Sequence, residues 1–163
     1  MCVLFEFAEL GLETRRKKQI KNELLKRDPT PGQVLQARDY RMRFPQCEHR
    51  PTNPSLRYNC HGLTFASRRT AIIDSEAIMT IFSDDGYQIV DRNDVAIGDI
   101  AIYKEQGDFS HSGIIVRVDR IGITPVIWVL SKWGHAHEVV HKLYECPYAS
   151  QPDSEISFWR MIQ

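Results

Sequence analysis

The sequence predicts an α+β domain in which helices come first and an antiparallel sheet follows. Three observations lead there. Up to about Phe82 the apolar residues recur at helical spacing, whereas from Tyr87 onward they fall in short runs of strand character separated by tight turns. The chain has 163 residues with 42% hydrophobic and 26% charged side chains, the make-up of one globular domain with a sizeable core. No internal repeat or low-complexity segment interrupts it.

In chain order, Glu13 to Lys26 reads as a helix, with Ile20, Leu24 and Leu25 on one face and lysines around the rest. Asp28-Pro29-Thr30-Pro31-Gly32 stops it. A second helical stretch runs from Gly32 to about Met42, and Phe44 to Tyr58, with prolines at 45, 51 and 54, reads as a surface loop. Cys60 to about Ser67 opens a helix after Asn59. Asp74 or Ser75 caps the next, which buries Ala77, Ile78, Ile81 and Phe82. Asp84-Asp85-Gly86 is a turn signal, followed by strands at Tyr87 to Val90, Ile97 to Tyr103, His111 to Val118, Val126 to Trp133 and Ile156 to Met161. The expected organisation is a basic helical extension, residues 1–50, packed on a core domain, residues 51–163.

Charge and hydropathy remove several function classes. Lysine plus arginine and aspartate plus glutamate both count 21, so the broad basic excess of a nucleic-acid binder is missing. The longest apolar stretch, Pro125 to Leu130, is too short to span a bilayer. The first residues carry acidic side chains inside an apolar run with no basic region before it, which fails as a signal peptide. A cytoplasmic protein is expected, with export independent of such a signal left open. The basic residues concentrate between Thr14 and Arg50, where they form either a solvated face or a surface for an acidic partner. The four cysteines, at 2, 47, 60 and 146, are spaced too irregularly for a disulfide framework.

Cys60 is the first candidate for chemistry. At a helix start its thiol meets unpaired backbone N–H groups and the positive end of the helix dipole, which favour a thiolate. The same amides suit the oxyanion of a tetrahedral intermediate, with Asn59 and Tyr58 as supporting candidates. Gly62 lets a neighbouring backbone approach closely. His111, at the start of a strand just after a turn, is held rigidly and suits the base. Ser131, on the next strand, faces the same side as Val129 and Trp133 and is the candidate orienter of His111.

Asn59-Cys60-His61-Gly62-Leu63, then Gly98-Asp99-Ile100-Ala101-Ile102-Tyr103, then His111-Ser112-Gly113-Ile114-Ile115 resembles the NlpC/P60 and CHAP cysteine peptidases. The ordered match covers about Tyr58 to Trp133 and extends toward Met161. It implies a permuted papain-like fold and a Cys–His hydrolytic centre. A peptide or protein amide is the expected substrate, and no cofactor, nucleic-acid or membrane partner is expected. Ser131-Lys132-Trp133-Gly134 followed by Glu138 to His141 resembles an uncharacterised bacterial branch of the same superfamily. That likeness favours Ser131 as third polar residue and suggests accessory roles for Lys132 and His141. The commoner peptidases place a histidine, asparagine, glutamine or glutamate where Ser131 stands.

Two other classes compete. Cys47-Glu48-His49 and Cys60-His61 bring zinc-type ligands into one region, but lack the usual gap inside each ligand pair. The other is a non-catalytic binding protein on the same fold. His135 and His137 are expected in an exposed turn, and Trp128 and Trp133 on opposite faces of their strand.

Overall fold

The computed structural model describes residues 7–149 and 154–162. Its N-terminal segment is extended where the sequence predicts a helix. The reason is Asn22, whose side chain is only 2% exposed. Its Oδ1 accepts from the Leu10 N–H (2.9 Å) and the Thr70 hydroxyl (2.8 Å), while Nδ2 donates to the carbonyls of Leu10 (2.8 Å) and Ile20 (3.0 Å). Buried amides need partners, and these partners are backbone groups that a helix would consume internally. Strand β1 (Phe7–Ala8) therefore pairs with β2 (Leu24–Leu25), Glu13 bridges Gln19, and Glu23 bridges Ala71. Ile20 still reaches the core, at 4% exposure.

Helix α1 (Pro31–Arg43) begins at a capping box in which Thr30 and Gln33 exchange hydrogen bonds, with proline in the first turn. It buries Ala37 and Tyr40. The Phe44–Tyr58 loop contains a two-residue edge strand, β3 (Glu48–His49), and then leads into α2 (Cys60–Phe65). Helix α3 (Ser75–Asp85) is capped by Asp74 and ends at Gly86, whose φ of 78° is the left-handed conformation glycine tolerates. Strands β4 (Tyr87–Val90), β5 (Ile100–Glu105), β6 (Asp108–Asp119), β7 (Val126–Lys132), β8 (Glu138–Lys142) and β9 (Glu155–Met161) follow. They form, with β3, a seven-stranded sheet in the order β3-β8-β7-β6-β5-β9-β4 in which every neighbouring pair is antiparallel. The chain is thus α+β.

Strand alternation gives the sheet two buried faces. Tyr103, Ile115, Val129 and Trp133 pack with Ala37 and Tyr40 of α1. Ile100, Ile102 and Phe109 pack with Ile78, Ile81 and Phe82 of α3, and Ile20 joins them. Each such side chain contributes about 1.5–3 kcal/mol through burial. Residues before 51 thus belong to both cores. The Gly98-Asp99 pair is a fastener: Asp99 is 3% exposed and accepts two hydrogen bonds from Arg160 of β9, at 2.7 and 2.8 Å. Among the described residues no helix is long and apolar enough to cross a membrane.

Candidate active site

Asn59 sets the position of α2. Its Oδ1 accepts from the N–H of Gly62 (2.8 Å) and of Ile72 (3.1 Å), and its Nδ2 donates to the Ile72 carbonyl (2.7 Å). One side chain thereby caps the helix and ties it to the 70–72 segment. Both polar atoms of its amide thus take part in holding α2 in place. Tyr58 is likewise occupied, because its hydroxyl donates to Glu138 at 2.7 Å. Both residues expected as oxyanion support are thus seen in hydrogen bonds that position α2 and the loop before it. The N–H groups of Cys60 and His61, in the first turn, have no intrahelical partner and remain the suitable donors.

Helix α2 lies against β6 and β7. The β6–β7 ladder begins at Gly113 opposite Ser131, so His111 sits beyond it, while still paired with Tyr103 of β5. Gly113 is required there: a Cβ would lie 2.3 Å from Val129 Cγ1 and 2.8 Å from the Leu130 carbonyl oxygen. Burial works to raise the Cys60 thiol pKa, but the neighbouring imidazoles of His61 and His111 outweigh it and hold the thiol well below its ordinary value.

The two imidazoles differ in freedom. His61 Nε2 lies 3.0 Å from the Phe109 carbonyl and Nδ1 lies 2.8 Å from Ser112 Oγ. The carbonyl can only accept, so Nε2 carries a proton. The Thr64 hydroxyl donates to the Cys60 carbonyl (2.9 Å), and Ser112 Oγ is 3.0 Å from Thr64 Oγ1. Ser112 can therefore donate to neutral His61, or turn its proton to Thr64 and accept from the cation. Burial disfavours that cation, yet Cys60 and the Phe109 carbonyl raise the His61 pKa overall. His111 is completely buried, and apart from its contact with the Cys60 thiol neither ring nitrogen has a hydrogen-bond partner among the described residues. It is the imidazole free to exchange a proton. Tyr148 stacks on it, with ring centroids 3.8 Å apart and planes 6° from parallel.

Ser131 does not orient His111. Its hydroxyl lies 2.9 Å from His141 Nε2 and accepts from Trp133 Nε1 at 3.1 Å. His141 Nδ1 lies 2.8 Å from the Lys142 carbonyl, so Nε2 is the acceptor and the single Ser131 proton goes to it. Burial pushes the His141 pKa down to about 3. Its neutral form is held in the fold while the unfolded chain protonates near 6.5. Its contribution to stability is therefore complete above about pH 6.5 and declines as pH falls toward 3. By pH 3 the loss from this group is expected to reach about 4 kcal/mol. Thermal midpoints measured across that range should fall steeply for the native chain and less steeply for His141→Gln; equal slopes would contradict the assignment.

Lys132 is fully buried, and its Nζ donates to the carbonyls of Ser55 (2.9 Å) and Gly134 (2.7 Å). The ammonium lies 5.1 Å from the centre of the Tyr58 ring. Burial lowers its pKa to about 8, against the opposing pull of Cys60 and Glu138. It pins the loop before Cys60 to the turn after β7 and places a cation near the thiol. Glu138, in turn, is 3% exposed and binds Arg68 through Nε (2.6 Å) and Nη2 (2.9 Å).

The zinc-type residues are dispersed. Cys47 Sγ donates to the Glu145 carbonyl at 3.4 Å, and His49 bonds the Phe44 carbonyl (2.8 Å) and His137 (2.7 Å). Among the described residues no three histidine, cysteine or acidic side chains are grouped to hold a metal ion. His137, expected in an exposed turn, is 1% exposed, whereas His135 is exposed. Trp133 lies in the core, and Trp128 carries the Arg117 guanidinium 3.8 Å above its ring on the opposite face.

His61 adjoins Cys60 in the sequence, but its coupling depends on Ser112 and Phe109, far along the chain. Tyr148 stands in no motif. Because Cys60 is 8% and His111 0% exposed, Tyr148 limits access. Tyr148→Ala is expected to speed alkylation of Cys60 several-fold without moving its pH midpoint, as followed by iodoacetamide labelling; an unchanged rate would mean that the ring is no barrier. Comparison with protein-family models, with curated proteins and with solved structures finds no match to this chain.

Proposed function

We propose that this chain is a cysteine hydrolase of the papain-like, NlpC/P60 type, acting on an amide or related acyl bond. The observation that carries the reading is a thiol of lowered pKa at a helix N-terminus beside a buried histidine whose ring nitrogens have no partner other than that thiol among the described residues. The motif order from Asn59 to Ile115 supports the same assignment.

In this mechanism His111 takes the thiol proton as the base. Cys60 Sγ attacks the carbonyl carbon, and the oxyanion is met by the N–H groups of Cys60 and His61. His111 gives its proton to the departing amine as the C–N bond breaks, leaving a thioester on Cys60. Water, deprotonated by His111, then releases the acid; an amine in its place gives acyl transfer. Lys132 and His61 supply positive charge near the thiolate, and Ser131, Trp133 and His141 support β7 from behind. The test is a screen of fluorogenic peptide amides and acyl esters with the native chain and Cys60→Ala. Turnover that disappears in the variant is expected, and full turnover in the variant would end the proposal.

One observation favours a second reading, a binding protein on the same fold: the base is roofed by Tyr148. Under that reading Cys60 labels no faster than the other thiols even in Tyr148→Ala.

A further inference from the structure

Beside the loop that delivers Cys60 lies a cleft of about 660 Å³. The loop itself forms one wall, through Ser55, Leu56 and Arg57. It then runs directly into Tyr58, Asn59 and Cys60. Ser55 is also where Lys132 anchors the loop, at 2.9 Å. The opposite wall is the extended segment 24–29, and Arg68 and Arg69 close the cleft after α2. The N-terminal segment's departure from helical structure therefore creates this cleft.

The lining has a definite chemistry. Lys26, Arg57 and Arg69 are exposed cations, Arg68 is neutralised by Glu138, and among the described residues Asp28 is the one acidic side chain in the lining. Leu25 and Leu56 supply apolar surface between them, and among the described residues no aromatic ring lines the cleft. Single-stranded nucleic acids are held largely by stacking on aromatic rings, and the described lining residues include none. Cations around an aliphatic floor suit an extended peptide with carboxylate side chains. The whole chain carries no net charge, so the local excess is a property of this cleft.

Resting on the hydrolase reading, we infer that the cleft binds an acidic segment of a peptide or protein substrate, whose scissile amide is then presented at Cys60. Substrate selection is by carboxylates on one side of that bond.

The experiment uses the full chain and a fluorescein-labelled peptide of alternating glutamate and alanine, with an alternating glutamine and alanine peptide as control. Fluorescence anisotropy at low ionic strength should show binding of the acidic peptide alone. Lys26→Glu with Arg57→Glu should weaken it roughly tenfold. The milder Lys26→Gln with Arg57→Gln should weaken it less, and serves if the charge reversal disturbs folding. Equal affinity in native and variant chains overturns the inference, as does an RNA oligomer or a phosphatidylserine vesicle that binds through these residues while the acidic peptide does not. Alkylation of Cys60 in the same variants separates the two claims. Lost peptide binding with Cys60 still reactive at low pH confirms the cleft assignment independently of the nucleophile. A Cys60 that behaves as an ordinary thiol overturns the hydrolase reading and the claim that the bound peptide is a substrate.

Discussion

His111→Ala is expected to slow iodoacetamide alkylation of Cys60 at pH 6 by roughly a hundredfold, because only the thiolate reacts and its fraction falls tenfold per pKa unit above the ambient pH. The thiol is buried, at 8% exposure, and burial alone raises its pKa; what reverses the sign is the pair of imidazoles. Removing His111 leaves His61, which is tied to Phe109 and Ser112 and so remains in place as a partial counter-charge. The residual reactivity should therefore exceed that of the double variant with His61→Ala. The contrast between the single variants is diagnostic. His61→Ala should raise the thiol pKa but leave acyl transfer measurable, since the proton carrier is intact. His111→Ala should remove turnover altogether. The reverse order of effects would reassign the base to His61.

Gly62→Ala is expected to destabilise the fold by about 3 kcal/mol or more, through overpacking that the backbone cannot relieve. A Cβ at this position would lie 1.9 Å from the carbonyl oxygen of Thr70 and 3.1 Å from the Tyr58 Cβ. The Thr70 segment has nowhere to go. Ile72 is bound on both its N–H and its carbonyl by Asn59, Ala71 is bridged to Glu23, and the Thr70 hydroxyl is bonded to Asn22. Any accommodation must move α2 itself, and Cys60 with it. Urea unfolding should show a midpoint far below that of the native chain, and the folded fraction should lose preferential labelling of Cys60. A variant of native stability would mean that the 70–72 segment is not packed on α2 as described.

Gly62 and Cys60 were legible in the sequence for a common reason. Both sit where local rules act strongly: a helix start with an asparagine cap, and a glycine in the first turn admitting a close neighbour. The β5, β6, β7 and β9 strands were legible because period-two burial and tight turns such as Gln106-Gly107 are local signals. The segment 13–26 misleads for the opposite reason. Its apolar residues fit a helical face, but Asn22 finds its partners at Leu10, Ile20 and Thr70, and no local pattern announces a contact 48 residues away. Strand β8 was missed because Glu138 and His141 look polar; their burial rests on Arg68 and Ser131 from other elements. Ser131 was placed on the correct face, but which histidine it reaches depends on β7–β8 register: Val129 pairs with His141.

The central claim is an activated nucleophile, and the most direct measurement is the pH dependence of iodoacetamide labelling in the native chain, with each modified cysteine located by mass spectrometry. Burial holds Cys47 and Cys146 up to about 11, so both serve as internal references for an inert thiol. Cys60 labelled preferentially below pH 7, ahead of both, is the predicted result. Cys60 labelling only in step with an ordinary thiol, at pH 8.5 or above, would contradict the account.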